Sequence, residues 1–170
     1  MITVMEIVIG LGGNVGEPQA AFRRAHEALA AEGRVLAASS LWCTRPVGPS
    51  QPEFLNAAIL LEWPQGPEHL LRRCRELEAD EGRDRAREER WGPRLLDLDL
   101  LIARTVVRRG PVLELPHPRL HERRFALEPT AELVRDWIHP LLGRTIEELA
   151  IEARQREPDA ILDHGPRNWG

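Results

Sequence analysis

Apolar positions along the chain alternate between a spacing of two and a spacing of three to four, and the switches mark out the elements. Val4 to Asn14, "VMEIVIGLGGN", is a β-rich run ending in glycines and predicts a first strand that leaves into a turn. The next stretch, "EPQAAFRRAHEALAAEG", sets Pro18 near a helix start, fills its interior with alanine and stops at Gly33. Arg34 to Thr44 predicts a second strand, and "RPVGPSQPE" packs three prolines and a glycine into a stiff loop. Phe54 to Trp63 follows as a third strand. In "GPEHLLRRCRELEADEG", Leu70, Leu71, Cys74, Leu77 and Glu78 fall at helical spacing, and Gly82 ends the helix. A charged loop, "RDRAREERWGPR", then leads into "LLDLDLLIA", the fourth strand.

The order β-α-β-β-α-β is the split arrangement that gives an antiparallel sheet with helices on one face, an α+β fold. Beyond it "RTVVRRGPVLEL" predicts a hairpin, "PHPRLHERR" a loop, and "ALEPTAELV" and "TIEELAIEARQRE" two helical stretches, with "DHGPRNWG" as a tail. A length of 170 residues suits one domain over 1–170, its core at about 4–150 and a C-terminal helix and tail at 151–170.

The fourth strand carries the first chemical signal. Side chains at i and i+2 share a face, so Asp97 and Asp99 stand together while Leu96, Leu98 and Leu100 pack on the other side. Such a pattern also arises where charge protects an edge strand. The flanking leucines argue for a central strand instead, where two carboxylates form a hard-oxygen site for Mg²⁺. Arg83, Arg85, Arg87, Arg90 and Arg94 lie just before the pair, and Arg119, Arg123 and Arg124 lie with His117 and His121 in a later loop. A charge run is ordinarily a solvated face. Two clusters around a D-x-D supply what a nucleotide polyphosphate needs, cations and forked donors.

Composition sharpens this. All 23 basic residues are arginine and none is lysine, which removes the Walker-A lysine, the kinase strand lysine and Schiff-base catalysis together. "GLGGNVG" matches neither the dinucleotide fingerprint nor a P-loop, and suits a tight turn. Phe54 and Phe125 suit either a core or aromatic walls for a flat heterocycle, whose polar edge Asn56 would read. Cys43 and Cys74 lack metal or disulfide spacing. The net charge of −4 argues against nucleic acid, no apolar run reaches membrane length, and "MITVMEIVIGLGG" lacks signal-peptide features. A cytoplasmic monomer acting on small molecules, without nucleic acid or membrane, is expected.

"TRPVGPSQPEFLNAA", "ERWGPRLLDLDLL" and "LPHPRLHERRFALEP", in this order and spacing, resemble the 6-hydroxymethyl-7,8-dihydropterin pyrophosphokinase family over about residues 7–150. The resemblance implies a ferredoxin-like fold and transfer of pyrophosphate from ATP to the pterin's hydroxymethyl oxygen, releasing AMP, in folate biosynthesis. It implies that Asp97 and Asp99 hold two Mg²⁺ ions, and that these aspartates with Arg83 and Arg94 form the catalytic set. Glu78, Arg83, Arg85, Trp91, Arg94, His117 and Arg123 match ATP positions, and Arg85 and Arg87 compete for one role. Thr44, Val47, Phe54, Asn56, Trp91 and Phe125 match the pterin pocket. His117 is a candidate base or, in preference, a phosphate donor. A non-catalytic nucleotide-binding module on the same fold is the rival reading.

Overall fold

The computed structural model describes residues 4–88, 90, 92–165 and 169–170. In chain order its core elements are β1 (Met5–Gly13), α1 (Pro18–Glu32), β2 (Arg34–Ala38), β3 (Trp42–Thr44), β4 (Phe54–Trp63), α2 (Pro67–Asp80) and β5 (Asp97–Ala103). There follow the hairpin β6 (Arg108–Arg109) and β7 (Glu114–Leu115), a 3₁₀ turn at Leu120–Glu122, and α3 (Arg124–Val134). A second hairpin, β8 (Ile138–His139) and β9 (Arg144–Thr145), leads to α4 (Ile146–Arg156) and then β10 (Ile161–His164). Pro18 and Pro67 open α1 and α2, where a missing N–H costs nothing. A reciprocal Thr145–Glu148 capping box opens α4.

Among the described residues the main sheet has six strands, in the order β10-β3-β4-β1-β5 with β2 also paired to β4. β1 lies antiparallel between β4 and β5. Its consecutive Ile7, Val8 and Ile9 are fully buried, as a strand covered on both faces requires. Ile7, Ile9 and Leu11 pack with Phe22 and Leu29 of α1 and Leu70, Cys74 and Leu77 of α2. These two helices therefore share one face, as the split arrangement predicts. Val8 and Ala58 point the other way, into a second core closed by Leu127 and Ala131 of α3 and Leu149 and Ala150 of α4. The helical stretches after the core thus cover the face that the first two leave open. The fold is ferredoxin-like, with a second helical layer.

Three departures from the predicted elements have physical causes. The single strand expected over 34–44 breaks at Ser39–Leu41. There Ser39 Oγ accepts the Ala58 N–H (2.8 Å), and Glu132 accepts from Ser40 N–H (3.0 Å) and Trp42 Nε1 (2.6 Å). The β8–β9 hairpin, closed around Gly143 at φ 66°, was not foreseen in the pattern. The expected tail is instead partly built in. β10 pairs with β3, and Trp169 is buried on α1 with its indole N–H donated to the Ser39 carbonyl (2.7 Å).

Candidate active site

A register shift decides where the carboxylates face. Val8 pairs with Ile102 and Ile9 with Leu100, so Leu101 is an extra residue on β5. Leu101 and Ile102 both join the core under α3 and α4, while Leu98 and Leu100 stay in the core under α1 and α2. Asp97, Asp99 and Leu101 consequently line one cavity of about 480 Å³, at the end of the sheet where α3 begins. Its floor has no side chain on the adjacent strand, because Gly12 stands opposite Asp97 and Gly10 opposite Asp99. A Cβ at Gly12 would lie 3.1 Å from Asn56 Oδ1, and one at Gly10 would lie 2.9 Å from Leu101 Cδ1. Glycine is what leaves this floor open.

One wall is cationic. Arg83, Arg85, Arg90 and Arg94 line it, joined by Arg119 and Arg123 from beyond β7. Arg83 bonds Asp97 Oδ1 (2.7 Å), Glu78 Oε1 (2.8 Å) and, in a fork, both oxygens of Glu88. These partners, against burial, raise its already high pKa. Glu78 is 1% exposed and lies behind the wall, so it does not line the cavity that the resemblance assigns it to. It accepts the Leu98 N–H (2.8 Å) and Arg85 Nη2 (2.5 Å), fixing the aspartate strand and two arginines at once. Burial pushes its carboxyl pKa up, against the Leu98 bond and the pull of Arg83. Arg87 points away to Asp84, so the structure puts Arg85, not Arg87, on the wall.

Burial, and then the charge of Asp97, push the Asp99 carboxyl well up, with Arg123 pulling against them. Among the described residues no group of three or more His, Cys, Asp or Glu side chains is placed to hold a metal. Two carboxylates alone suit a cation such as Mg²⁺, which completes its shell with water and phosphate oxygens. His117 lies beside them, its backbone N–H donated to the Leu101 carbonyl (2.7 Å). Burial, then Arg123, holds its pKa down to about 4, so the ring is neutral. Its Nδ1 accepts the Arg119 N–H (3.1 Å), which leaves the proton on Nε2 as a donor.

The opposite wall is apolar with one amide. Thr44, Val47, Phe54, Asn56 and Phe125 all line it. Phe54 and Phe125 are half-buried and belong to neither core cluster, so both rings are available to the cavity they line. Asn56 is buried and donates to Thr44 Oγ1 (2.7 Å), while Arg123 lies over the Phe125 ring at 5.6 Å. Of the residues singled out in the sequence, Glu78 is behind the wall, Arg87, His121 and Arg124 do not line the cavity, and Trp91 lies outside the described residues; the others meet here. The sequence reading missed Arg45, Glu88 and Asn14. Asn14 bonds Gln51 Oε1 (3.0 Å) and the Pro52 carbonyl (2.9 Å) and accepts the Arg94 N–H (2.8 Å), tying the proline loop to the arginine wall. Its position after three glycines signalled a turn, and nothing local signalled a clasp.

Residues 8–135 match the model of the family described as 7,8-dihydro-6-hydroxymethylpterin-pyrophosphokinase (HPPK). A relative from Synechocystis sp., named 2-amino-4-hydroxy-6-hydroxymethyldihydropteridine pyrophosphokinase, is 39% identical over 146 residues, covering 84% of this chain and 73% of the relative. A Pseudomonas aeruginosa relative of the same name is 36% identical over 149 residues, covering 86% and 90%. The crystal structure of wild-type Plasmodium falciparum HPPK-DHPS superposes with a TM-score of 0.67 at 12% identity, over 95% of this chain and 46% of that one. That likeness shows the fold, and the present chain spans just under half of that structure's length. By sequence, the chain belongs to the 7,8-dihydro-6-hydroxymethylpterin-pyrophosphokinase family.

Proposed function

We propose that the chain transfers the pyrophosphoryl group of ATP to 6-hydroxymethyl-7,8-dihydropterin, releasing AMP, in folate biosynthesis. The observation that carries the reading is the placing of Asp97 and Asp99 between a guanidinium wall and an aromatic wall in one cavity. A new bond forms from the hydroxymethyl oxygen to the β-phosphorus, the bond from that phosphorus to the α-phosphate oxygen breaks, and the hydroxyl proton passes to water. No covalent intermediate is required; positioning and charge stabilisation suffice.

Arg83, Arg85, Arg94 and Arg123 are the donors for the phosphate oxygens, joined by His117 through Nε2–H. Glu78 holds Arg83 and Arg85 from behind. Phe54 and Phe125 take the faces of the pterin, Asn56 with Thr44 reads its polar edge, and Val47 closes the rim. Trp91 joins both ligand sets on the resemblance alone. Asp97 and Asp99 would hold Mg²⁺, two ions by the resemblance. Bound there, Mg²⁺ would supply charge neutralisation for the phosphate oxygens. The proposal places this reaction in the cytoplasm, in a monomer acting on small molecules. No helix among the described residues is long and apolar enough to cross a membrane.

A non-catalytic nucleotide-binding module would use the arginine wall and leave the second wall without a purpose. The test is incubation with ATP, Mg²⁺ and the pterin, with products separated by ion exchange. The expected products are AMP and the pterin diphosphate in equal amounts. ADP in place of AMP would mean simple phosphoryl transfer, and nucleotide binding without turnover would mean the module.

A further inference from the structure

The two sides of the aromatic wall come from distant parts of the chain, and one segment touches both. Thr44 belongs to β3, a strand of three residues between the Ser39–Leu41 break and the proline loop. So short a strand has little of its own to hold it. Along one edge it pairs with β4, Thr44 opposite Phe54. Along the other it pairs with β10, Ile161 opposite Thr44. Arg45, the next residue and itself on the cavity wall, donates its N–H to the Ala160 carbonyl (3.0 Å) and its Nε to the Asp159 carbonyl (2.8 Å). Phe125 follows Arg124, the first residue of α3. Arg124 donates Nη1 to the Glu157 and Pro158 carbonyls (2.9 Å each) and its N–H to Glu157 Oε2 (3.1 Å). Carbonyls 157–160 are therefore clasped by one arginine from each side of the pterin wall.

We infer that segment 157–165 is a positioning strap that sets the gap between the Phe54–Thr44 side and the Phe125 side, and that Trp169 is its anchor. This rests on the function proposed above. The segment lies beyond the residues 8–135 that match the family model. β10 buries little of its own surface, since Leu162, Asp163 and His164 are exposed. Apolar hold comes from Trp169, which is 1% exposed and packs edge-on to Phe22 (5.8 Å between centroids) and His26 (6.0 Å). Its indole N–H reaches the Ser39 carbonyl (2.7 Å), and its own carbonyl accepts Arg23 Nε (2.9 Å). The anchor thus grips α1 and the break that precedes β3. Trp169 touches neither ligand wall, so its influence on the pterin runs through β10 and β3.

The full chain carrying Trp169→Ala tests this, with three measurements. These are pterin affinity, affinity for a non-hydrolysable ATP analogue with Mg²⁺, and hydrogen exchange at residues 160–164. The expected result is fast exchange in the strap, about a tenfold weaker pterin affinity and an ATP-analogue affinity within about twofold of wild type. Fast exchange with unchanged pterin affinity would overturn the inference. So would equal loss of both affinities, because general destabilisation does not distinguish the walls. Should Trp169→Ala fail to fold, Trp169→Phe decides: it keeps an aromatic ring in the core, gives up part of the buried indole and removes the N–H bonded to Ser39. A smaller loss for pterin alone supports the strap, and no loss overturns it. Absence of pterin binding by the wild type would overturn the functional reading itself, and the strap with it.

Discussion

Replacing Glu78 with glutamine removes one charge, preserves the shape, and separates the two tasks this buried residue performs. Oε1 accepts the Leu98 N–H at 2.8 Å and also meets Arg83 Nη1 at 2.8 Å, while Oε2 accepts Arg85 Nη2 at 2.5 Å. Glutamine keeps an acceptor for Leu98 but turns an amide donor toward a guanidinium. A hydrogen bond to a charged group contributes about 1.5–3 kcal/mol. Arg83 retains Asp97 and Glu88, and Arg85 is 53% exposed and can turn to water, so the sum must be discounted. Relief from burying a carboxylate offsets part of the remainder. The net loss is about 1–3 kcal/mol, a fall in Tm of several degrees for a chain of this size. Functionally, the two arginines lose their brace, so ATP affinity should fall by about tenfold, or 1.4 kcal/mol, with pterin affinity unchanged. Glu78→Leu should be worse in both respects, because the Leu98 N–H is then left without an acceptor at a further ~1–3 kcal/mol and the aspartate strand loses its tie. Calorimetry with each ligand and thermal melts measure these effects. If Glu78→Gln matched wild type in both, or if Glu78→Leu were no worse than Glu78→Gln, the brace would be refuted.

Asp97→Asn and Asp99→Asn should each cost at least about a hundredfold in turnover, ~3 kcal/mol, with circular dichroism unchanged, and chelation of divalent metal should abolish wild-type turnover. Most activity surviving in either variant at saturating Mg²⁺ would remove the pair from the metal site. Phe54→Ala and Phe125→Ala should weaken pterin binding by one to two decades, at ~1–3 kcal/mol per stacked ring, and leave ATP binding nearly intact. Equal losses for both ligands would mark the rings as ordinary packing. His117, held down to about 4 in the folded chain against about 6.5 when unfolded, binds its proton more readily in the unfolded state. The stability it contributes is therefore present above about pH 6.5 and is lost as pH falls toward 4. Nuclear magnetic resonance of the metal-free protein should show a neutral ring down to that pH, and a midpoint near 6.5 would contradict the burial assigned to it.

β1, β4, β5 and the first two helices were legible because each is an apolar or amphipathic run bounded by glycine, proline or a charged loop. The break at Ser39–Leu41 was not, because its causes lie far off in sequence. Glu132 is 92 residues from Ser40, and Trp169 is 130 from Ser39. The side of the sheet taken by α3 and α4 was equally hidden, since an apolar stripe says that a helix is buried and not against which face. Ile7, Val8 and Ile9 in succession did hold the clue that both faces of β1 needed cover. "DHGPRNWG" looks like a tail by composition, yet its tryptophan is buried against Phe22 of α1 and donates to the Ser39 carbonyl, partners far off in sequence.

In the site, the residues that touch open space were easier to foresee than those that hold them. Asp97 and Asp99 announced themselves by breaking an apolar strand at a spacing of two. Glu78 broke an apolar helical stripe in the same way, beside Leu70, Cys74 and Leu77, and a carboxylate in such a stripe has to find cations or neutralise. Its burial was therefore predictable, and so was the existence of positive partners. Their identity was not, because Arg83, Arg85 and Arg87 are chemically the same residue at neighbouring odd positions. The fold separates them. Arg83 and Arg85 reach the buried carboxylate, whereas the Arg87 side chain is 88% exposed and meets Asp84. Which arginines face the cavity is thus selected by an acid behind the wall, and the run of acids among the arginines is not a uniformly solvated face. Glu88 belongs to the same selection, since it forks onto Arg83 and lies 3.8 Å from Arg94.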